Sequence, residues 1–311
     1  MATWRSLPMK KTFETIVFFG SGPVAAESLR LLAQGFTIEA VVTKPRPAHH
    51  RGDVPVISAA KELNIPTHTV TNRNALNELV TKKPFQSRLG ILIDFGIIVS
   101  QKVIDYFPLG ILNSHFSILP DLRGADPITF AILSGQEMTG VSLMLLVEAM
   151  DEGPLLAYGE QPLDGTETTP ELTHRLIALS DALLRDRVPQ YFKEQKTAPQ
   201  DITGRIVSYS RKLTKNDGSI DWSKPAEQIE REVRAFIDWP KSRTTIARKD
   251  VVITKASAAK ESGQPGTMMV RGKQLIAYCG KGSLILEQLK PAGKNEMTIE
   301  AFLAGHKNLL A

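Results

Sequence analysis

Asn113, His115 and Asp151 are residues whose types, taken together, can move an acyl group onto an amine. An amide donates to an oxygen that is gaining negative charge. An imidazole exchanges a proton near neutral pH. A carboxylate orients or charge-balances that imidazole and takes up the amine's proton. No Ser or Cys stands in a recognisable nucleophile elbow, which favours direct transfer over a covalent intermediate. A plainer reading fits the same residues: Asn113 caps a turn, His115 is a satisfied strand-end histidine and Asp151 caps a loop. Spacing alone leaves both open.

The elements around them decide whether they can meet. Ile111-Leu112-Asn113-Ser114-His115 starts as an apolar run and passes into a polar loop with Pro120 and Gly124, as the carboxyl end of a buried strand does. Asn113 and His115, two apart, share one face of such a strand. After a helix opened by Asp126-Pro127, the apolar stretch Val141 to Val147 predicts a strand buried on both faces. That strand delivers Asp151 to the turn Asp151-Glu152-Gly153-Pro154. Two neighbouring strand ends are thus expected to bring the three residues together, where open α/β sheets bind their ligands.

Upstream, Thr15 to Phe19 predicts a first strand running into Gly20-Ser21-Gly22-Pro23-Val24-Ala25 and then a helix, the start of a doubly wound sheet. The turn fits the dinucleotide pattern G-x-G-x-x-A. The second strand, however, ends in Thr43-Lys44 where an acidic ribose ligand is wanted, and Pro23 removes a backbone donor. Both features argue against a nicotinamide cofactor. The next loop holds Lys44, Arg46, His49, His50 and Arg51. Adjacent histidines without a partnering Cys or acidic cluster do not make a metal site, whereas the cations could touch phosphates. A leucine stripe at Leu172, Leu176, Leu179, Leu183 and Leu184 predicts a packed helix.

The stretch from Glu194 to Arg205 is polar and reads as a linker. Beyond it, a helix over about Ala226 to Phe236 precedes five short β-like runs: Thr244 to Ile246, Val251 to Thr254, Thr267 to Val270, Gln274 to Tyr278 and Ser283 to Leu289. Five short strands suit a small barrel of the OB type. The expected class is therefore α/β: a Rossmann-like doubly wound domain over 10–193, a linker over 194–207 and an OB-like domain over 208–311. Residues 205 onward carry 19 Lys and Arg against 11 Asp and Glu, an excess that points to a polyanion such as a nucleic acid. The single cysteine, Cys279, excludes an intramolecular disulfide and a Cys-based zinc site. It fits a reducing cytoplasm. No apolar run approaches a membrane span, and Met1 to Lys11 lacks the apolar core of a secretory signal.

At these residues the chain resembles a known family. Asn113-Ser114-His115-Phe116-Ser117-Ile118-Leu119-Pro120, with Arg123-Gly124-Ala125-Asp126-Pro127 and the later Asp151, resembles the signature of the folate-dependent formyltransferases. Tyr209-Ser210-Arg211-Lys212-Leu213, Ile220-Asp221-Trp222-Ser223, Arg234 to Pro240 and Leu289 to Lys294 are similar to the branch of that family whose acceptor is a tRNA. The resemblance implies formyl transfer from 10-formyltetrahydrofolate to the amino group of initiator methionyl-tRNA. It implies Asn113, His115 and Asp151 as the catalytic trio and Ser117, Ile118, Leu119 and Pro120 as the folate-lining segment. Lys44, Arg46, Arg51, Lys212, Lys215, Arg243 and Lys255 are the expected tRNA contacts, with no metal and a cytoplasmic monomer. The chain departs from the family where Asp-Thr-Gly-Asp is usual and Asp151-Glu152-Gly153-Pro154 stands, and where a Tyr-Gly pair is replaced by Phe95-Gly96 after Asp94. The basic loop after Thr43 is also shortened. Competing expectations are the same chemistry on an amino sugar nucleotide, a non-catalytic RNA-binding protein on this fold, and an NADP oxidoreductase.

Overall fold

The structure, a computed structural model, describes residues 14–46, 52, 54–204 and 207–305. Arg51, the His49-His50 pair and the leading Met1 to Lys11 stretch lie outside the described residues. The chain divides into two compact units. One runs to Gly124 and adds Thr139–Gln161 and Thr173–Tyr209; the other comprises Ala125–Met138, Pro162–Leu172 and the chain from Ser210.

In order, the elements are β1 (Thr15–Phe19), α1 (Pro23–Leu32), β2 (Thr37–Thr43), α2 (Pro55–Glu62), β3 (Thr67–Thr69), α3 (Arg73–Thr81), β4 (Leu89–Leu92), α4 (Gln101–Ile104) and β5 (Ile111–His115). They continue with β6 (Arg123–Gly124), α5 (Pro127–Ser134), β7 (Met138–Leu145), β8 (Leu155–Pro162) and the long α6 (Thr169–Glu194). Proline begins α1, α2 and α5, where its missing N–H would be unpaired anyway. Asn72 caps α3 by accepting from the Ala75 N–H at 3.0 Å.

The first unit is built on a seven-stranded sheet in the order β3-β2-β1-β4-β5-β7-β8. Strands β1 to β5 pair in parallel, the doubly wound pattern expected from strand–turn–helix alternation. Their apolar residues are buried apart from the half-buried Leu92, and the Phe19 ring meets Phe95 and Phe107 edge-on at 5.6 and 5.8 Å. On α6, Leu172, Leu176 and Leu184 are buried, as the leucine stripe predicts. At the carboxyl end of β1, a Cβ on Gly22 would lie 1.9 Å from Asp94 Oδ2. That glycine therefore accommodates a carboxylate, which is poor company for a dinucleotide pyrophosphate.

One expectation about the sheet is corrected. β7 is the neighbour of β5, but it runs antiparallel, with His115 opposite Ser142 and Leu112 opposite Leu145. Its carboxyl end therefore points away from the carboxyl end of β5. It also stops at Leu145, short of the Val147 expected from hydrophobicity. Asp151 is placed by a returning loop, 146–154, and not by a strand end. The Leu145 N–H donates to the Pro154 carbonyl at 3.0 Å and closes this loop. Gly153 makes the closure possible, because a Cβ there would lie 1.7 Å from the Leu145 carbonyl oxygen.

The second half contains β9 (Tyr209–Ser210), α7 (Ala226–Ala235), β10 (Ser242–Ile246), β11 (Lys249–Ala259), β12 (Met268–Arg271), β13 (Gln274–Tyr278), β14 (Ser283–Pro291), β15 (Met297–Thr298) and α8 (Ile299–Ala304). The five expected strands form an antiparallel sheet in the order β10-β11-β14-β13-β12, and β15 adds to β14. β11 is longer than its apolar run suggests. Its register with β14 shifts between Ile253 and Ala256, so the alternation that marks a strand breaks while the pairing continues. Ile229 and Val233 of α7 join Ile253, Leu275, Leu284 and Phe302 in the core of this unit. No helix among the described residues is long and apolar enough to cross a membrane.

Candidate active site

Strand β5 sets the site by alternation. Ser114 points to one face, where its hydroxyl meets Ser180 Oγ of α6 at 2.7 Å. Asn113 and His115 belong to the opposite face. Both are buried, at 8% and 6% exposure. Among the described residues the Asn113 amide makes no hydrogen bond. Its amide is not among the fully enclosed polar atoms that lack a partner, so its donors stay open to solvent or to a ligand.

His115 is oriented by the chain that follows it. Its Nε2 lies 2.9 Å from the Leu122 carbonyl oxygen. A carbonyl only accepts, so Nε2 carries the hydrogen and Nδ1 is the bare nitrogen of the neutral ring. That nitrogen faces Asp151 Oδ2 at 3.8 Å, too far for a direct hydrogen bond. The gap suits a proton-bearing group between them, and the carboxylate balances the charge when Nδ1 takes a proton.

Asp151 is 13% exposed and sits at φ 54, in the left-handed region. Its Oδ2 accepts from the Gly124 N–H at 2.7 Å. Its carbonyl accepts from Gln200 Nε2 at 2.8 Å, and the same nitrogen reaches the Gly153 carbonyl at 3.0 Å. Gln200 Oε1 in turn accepts from Arg123 Nη2 at 2.8 Å, and Arg123 Nη1 pairs with Glu152 Oε1 at 2.9 Å. His115 and Asp151 thus come within 3.8 Å of each other through a loop and two backbone groups that spacing did not reveal, with Asn113 on the His115 face of β5.

Ser117, Leu119 and Pro120 are buried and Ile118 is half-buried. The Ser117 hydroxyl donates to the Asp121 carbonyl at 2.5 Å. Ser142 of β7 bridges the segment: its hydroxyl donates to the Ser117 carbonyl at 2.8 Å and accepts from the Leu119 N–H at 3.0 Å. Ser117 to Pro120 is therefore a shaped wall of backbone beside His115.

The expected phosphate contacts are more scattered. Lys44 folds its ammonium over Gly96, whose Cβ position would lie 2.6 Å from Nζ. Arg46 is exposed in the same unit. In the second unit Lys212 and Lys215 are exposed, while Arg243 is half-buried and donates to the Lys215 carbonyl. Lys255 pairs with Glu287 at 3.1 Å. Arg243 and Lys215 are brought together, but Arg243 spends a donor on backbone. Asp126, at the head of α5, accepts from the Thr129 hydroxyl at 2.7 Å, and burial pushes its carboxyl above the usual range against that hydrogen bond.

Sequence reasoning gave no role to Gln200, Arg123, Leu122 or Ser142. Gln200 hides in a polar stretch that composition marks as a connector. Arg123 is 6% exposed, and an arginine so buried is bonded within the fold, a fact the sequence alone does not report.

Residues 14–188 match the family model described as "Formyl transferase", and residues 212–307 match "Formyl transferase, C-terminal domain". A curated relative from Myxococcus xanthus, named methionyl-tRNA formyltransferase, is 35% identical over 94% of this chain and 95% of its own. A protein of the same name from Pseudoalteromonas translucida is 35% identical over 94% of each chain. Among solved structures, an N-formyltransferase from Helicobacter canadensis, in complex with folinic acid and dTDP-3-aminofucose, superposes with a TM-score of 0.65. It is 17% identical and covers 90% of this chain and 100% of that one, which speaks to fold. The motif on β5, the returning loop and these near-full-length matches together place the chain in the formyl transferase family.

Proposed function

We propose that the chain transfers the formyl group of 10-formyltetrahydrofolate to the α-amino group of initiator methionyl-tRNA, as a monomer in the cytoplasm. The observation that carries the reading is a tautomer-fixed His115 within 3.8 Å of Asp151, with the buried Asn113 on the same face of β5 as His115. The names of the relatives, which span nearly all of the chain, support the choice of acceptor. So does the excess of Lys and Arg beyond residue 205.

The residues fit the reaction's needs. The Asn113 amide is the buried donor available to the formyl oxygen as the amine nitrogen attacks the formyl carbon. A model α-amino group titrates near ~7.7–8.0, so a neutral attacking fraction exists at neutral pH. His115 Nδ1 receives the proton the amine sheds, with Asp151 Oδ2 balancing its charge. The proton then passes to the folate nitrogen as its bond to the formyl carbon breaks. Ser117 to Pro120, held by Ser142, shape the side on which the folate lies. Asn113, Ser117 and Pro120 are all deeply placed, which keeps water from competing with the amine.

A second reading, transfer to an amino sugar nucleotide, has the Helicobacter canadensis structural likeness in its favour. It leaves the basic C-terminal unit without a task. The deciding experiment offers 10-formyltetrahydrofolate with charged initiator tRNA and, separately, with a dTDP-amino sugar. Formyl transfer to the tRNA alone is expected. Transfer to the sugar alone overturns the acceptor, and transfer to neither overturns the enzyme reading in favour of a non-catalytic RNA-binding protein.

A further inference from the structure

By composition, the chain after α6 is a plain connector. Among residues 193–204, however, Gln200 alone is not exposed. Just before it, Ala198 exchanges two backbone hydrogen bonds with Leu155, at 2.7 and 2.9 Å. This pairing delivers Gln200 to the loop that carries Asp151.

The Gln200 amide has a defined orientation there. Its nitrogen lies within hydrogen-bond distance of two carbonyls, Asp151 and Gly153, and both can only accept. Its oxygen faces the Arg123 guanidinium, which can only donate. A flipped amide would meet repulsion on all three contacts. The loop has few other anchors, since Val147, Glu148, Ala149 and Met150 are exposed. Asp151 is held at φ 54, a conformation that persists only where the surroundings enforce it.

We infer that Gln200 is a positioning residue for this reaction: its amide clamps the backbone of Asp151 and Gly153 and so holds the Asp151 carboxylate within reach of His115. The inference rests on the role given to Asp151 above. Arg123 is the clamp's support, bonded to Gln200 on one side and to Glu152 of the same loop on the other. The clamp acts through backbone carbonyls, so it does not depend on which side chains the loop carries.

The test compares Gln200→Ala and Gln200→Glu in the full chain. Gln200→Glu keeps the shape and the acceptor for Arg123 but loses the NH2 that grips the loop. Both variants are expected to lower kcat about 10- to 100-fold, the cost of a misplaced catalytic group. KM for the folate and for tRNA should stay within about twofold, since the clamp grips neither substrate. Amide exchange at Gly124, whose N–H bonds Asp151 Oδ2, should quicken in both. In an Asp151→Asn background, Gln200→Ala should add less than about twofold, because the two act as one unit. A wild-type kcat in Gln200→Glu, unchanged Gly124 exchange, or a full multiplicative loss in the Asp151→Asn background would each overturn the clamp. An inactive wild-type chain would instead bring down the functional reading, whereas an active wild type with an unimpaired Gln200→Glu brings down only the clamp.

Discussion

Polar side chains are used in opposite ways in two regions of the molecule. On β5, Asn113 and His115 are 8% and 6% exposed, and His115 is oriented by a backbone carbonyl at 2.9 Å. In the second unit, Lys212 and Lys215 are exposed and Lys255 is answered by Glu287. Burial leaves little water as a fallback partner, so a small displacement at the first site separates a polar group from the one it must meet. Exposed cations act through a summed, screened field, to which any one side chain contributes little. The first region should therefore tolerate almost no change, and the second should degrade gradually.

The largest predicted effect breaks the buried site. His115→Ala should lower kcat by about 100- to 10,000-fold, the range for a lost general acid–base group. Asn113→Ala should cost about 100- to 1,000-fold, the range for a lost oxyanion donor. Steady-state kinetics with both substrates saturating checks both, and tRNA binding should change little in either. A smaller effect belongs to the exposed cations. Lys212→Gln with Lys215→Gln should raise the tRNA KM several-fold while leaving kcat in place. The slope of log affinity against log salt should shallow by about 0.7–0.9 per contact removed. An unchanged salt slope would take these two lysines out of the tRNA interface and weaken the contrast.

The smallest effect concerns stability. Burial raises the Asp126 carboxyl above its usual range, so the folded state disfavours its ionised form. A carboxyl whose folded pKa is raised favours folding while it is protonated, and that contribution is lost as pH rises through the folded pKa. Asp126→Asn keeps an oxygen for the Thr129 hydroxyl and suits the left-handed φ of 63 at this position. The variant should melt a few degrees higher at neutral pH, and the gain should shrink as pH falls through the Asp126 pKa. Thermal melts at a series of pH values check the sign. An equal gain at every pH would assign it to packing and not to charge.

The start of the parallel sheet was legible because Thr15 to Phe19 is a short apolar run closed by the Gly20 to Ala25 turn, with Pro23 opening the helix that follows. The pairing of His115 with Asp151 was legible because the two types suit each other. How the two meet was not legible. Hydrophobicity continues through Leu146 and Val147, so nothing local marks the end of β7 at Leu145 or its antiparallel direction. Both follow from pairing with β5, a non-local fact. Gly153 looked like a turn residue; its task is the close approach of two backbone segments. Gln200 was invisible for a related reason: a lone amide among exposed polar residues reads as solvated until its partners are known. Composition likewise registered the positive charge of the second half, but not that Arg243 commits one of its donors to the Lys215 carbonyl.

The central claim is that loop 146–154 exists to return one carboxylate to His115. Single-turnover formyl transfer by Asp151→Asn tests it most directly, with enzyme and 10-formyltetrahydrofolate in excess over charged initiator tRNA. Asn keeps the size, and its oxygen can still accept from the Gly124 N–H, so the change removes charge and proton capacity with little else. We predict a rate at least about 100-fold below wild type with tRNA affinity preserved. A near-wild-type rate would contradict the account.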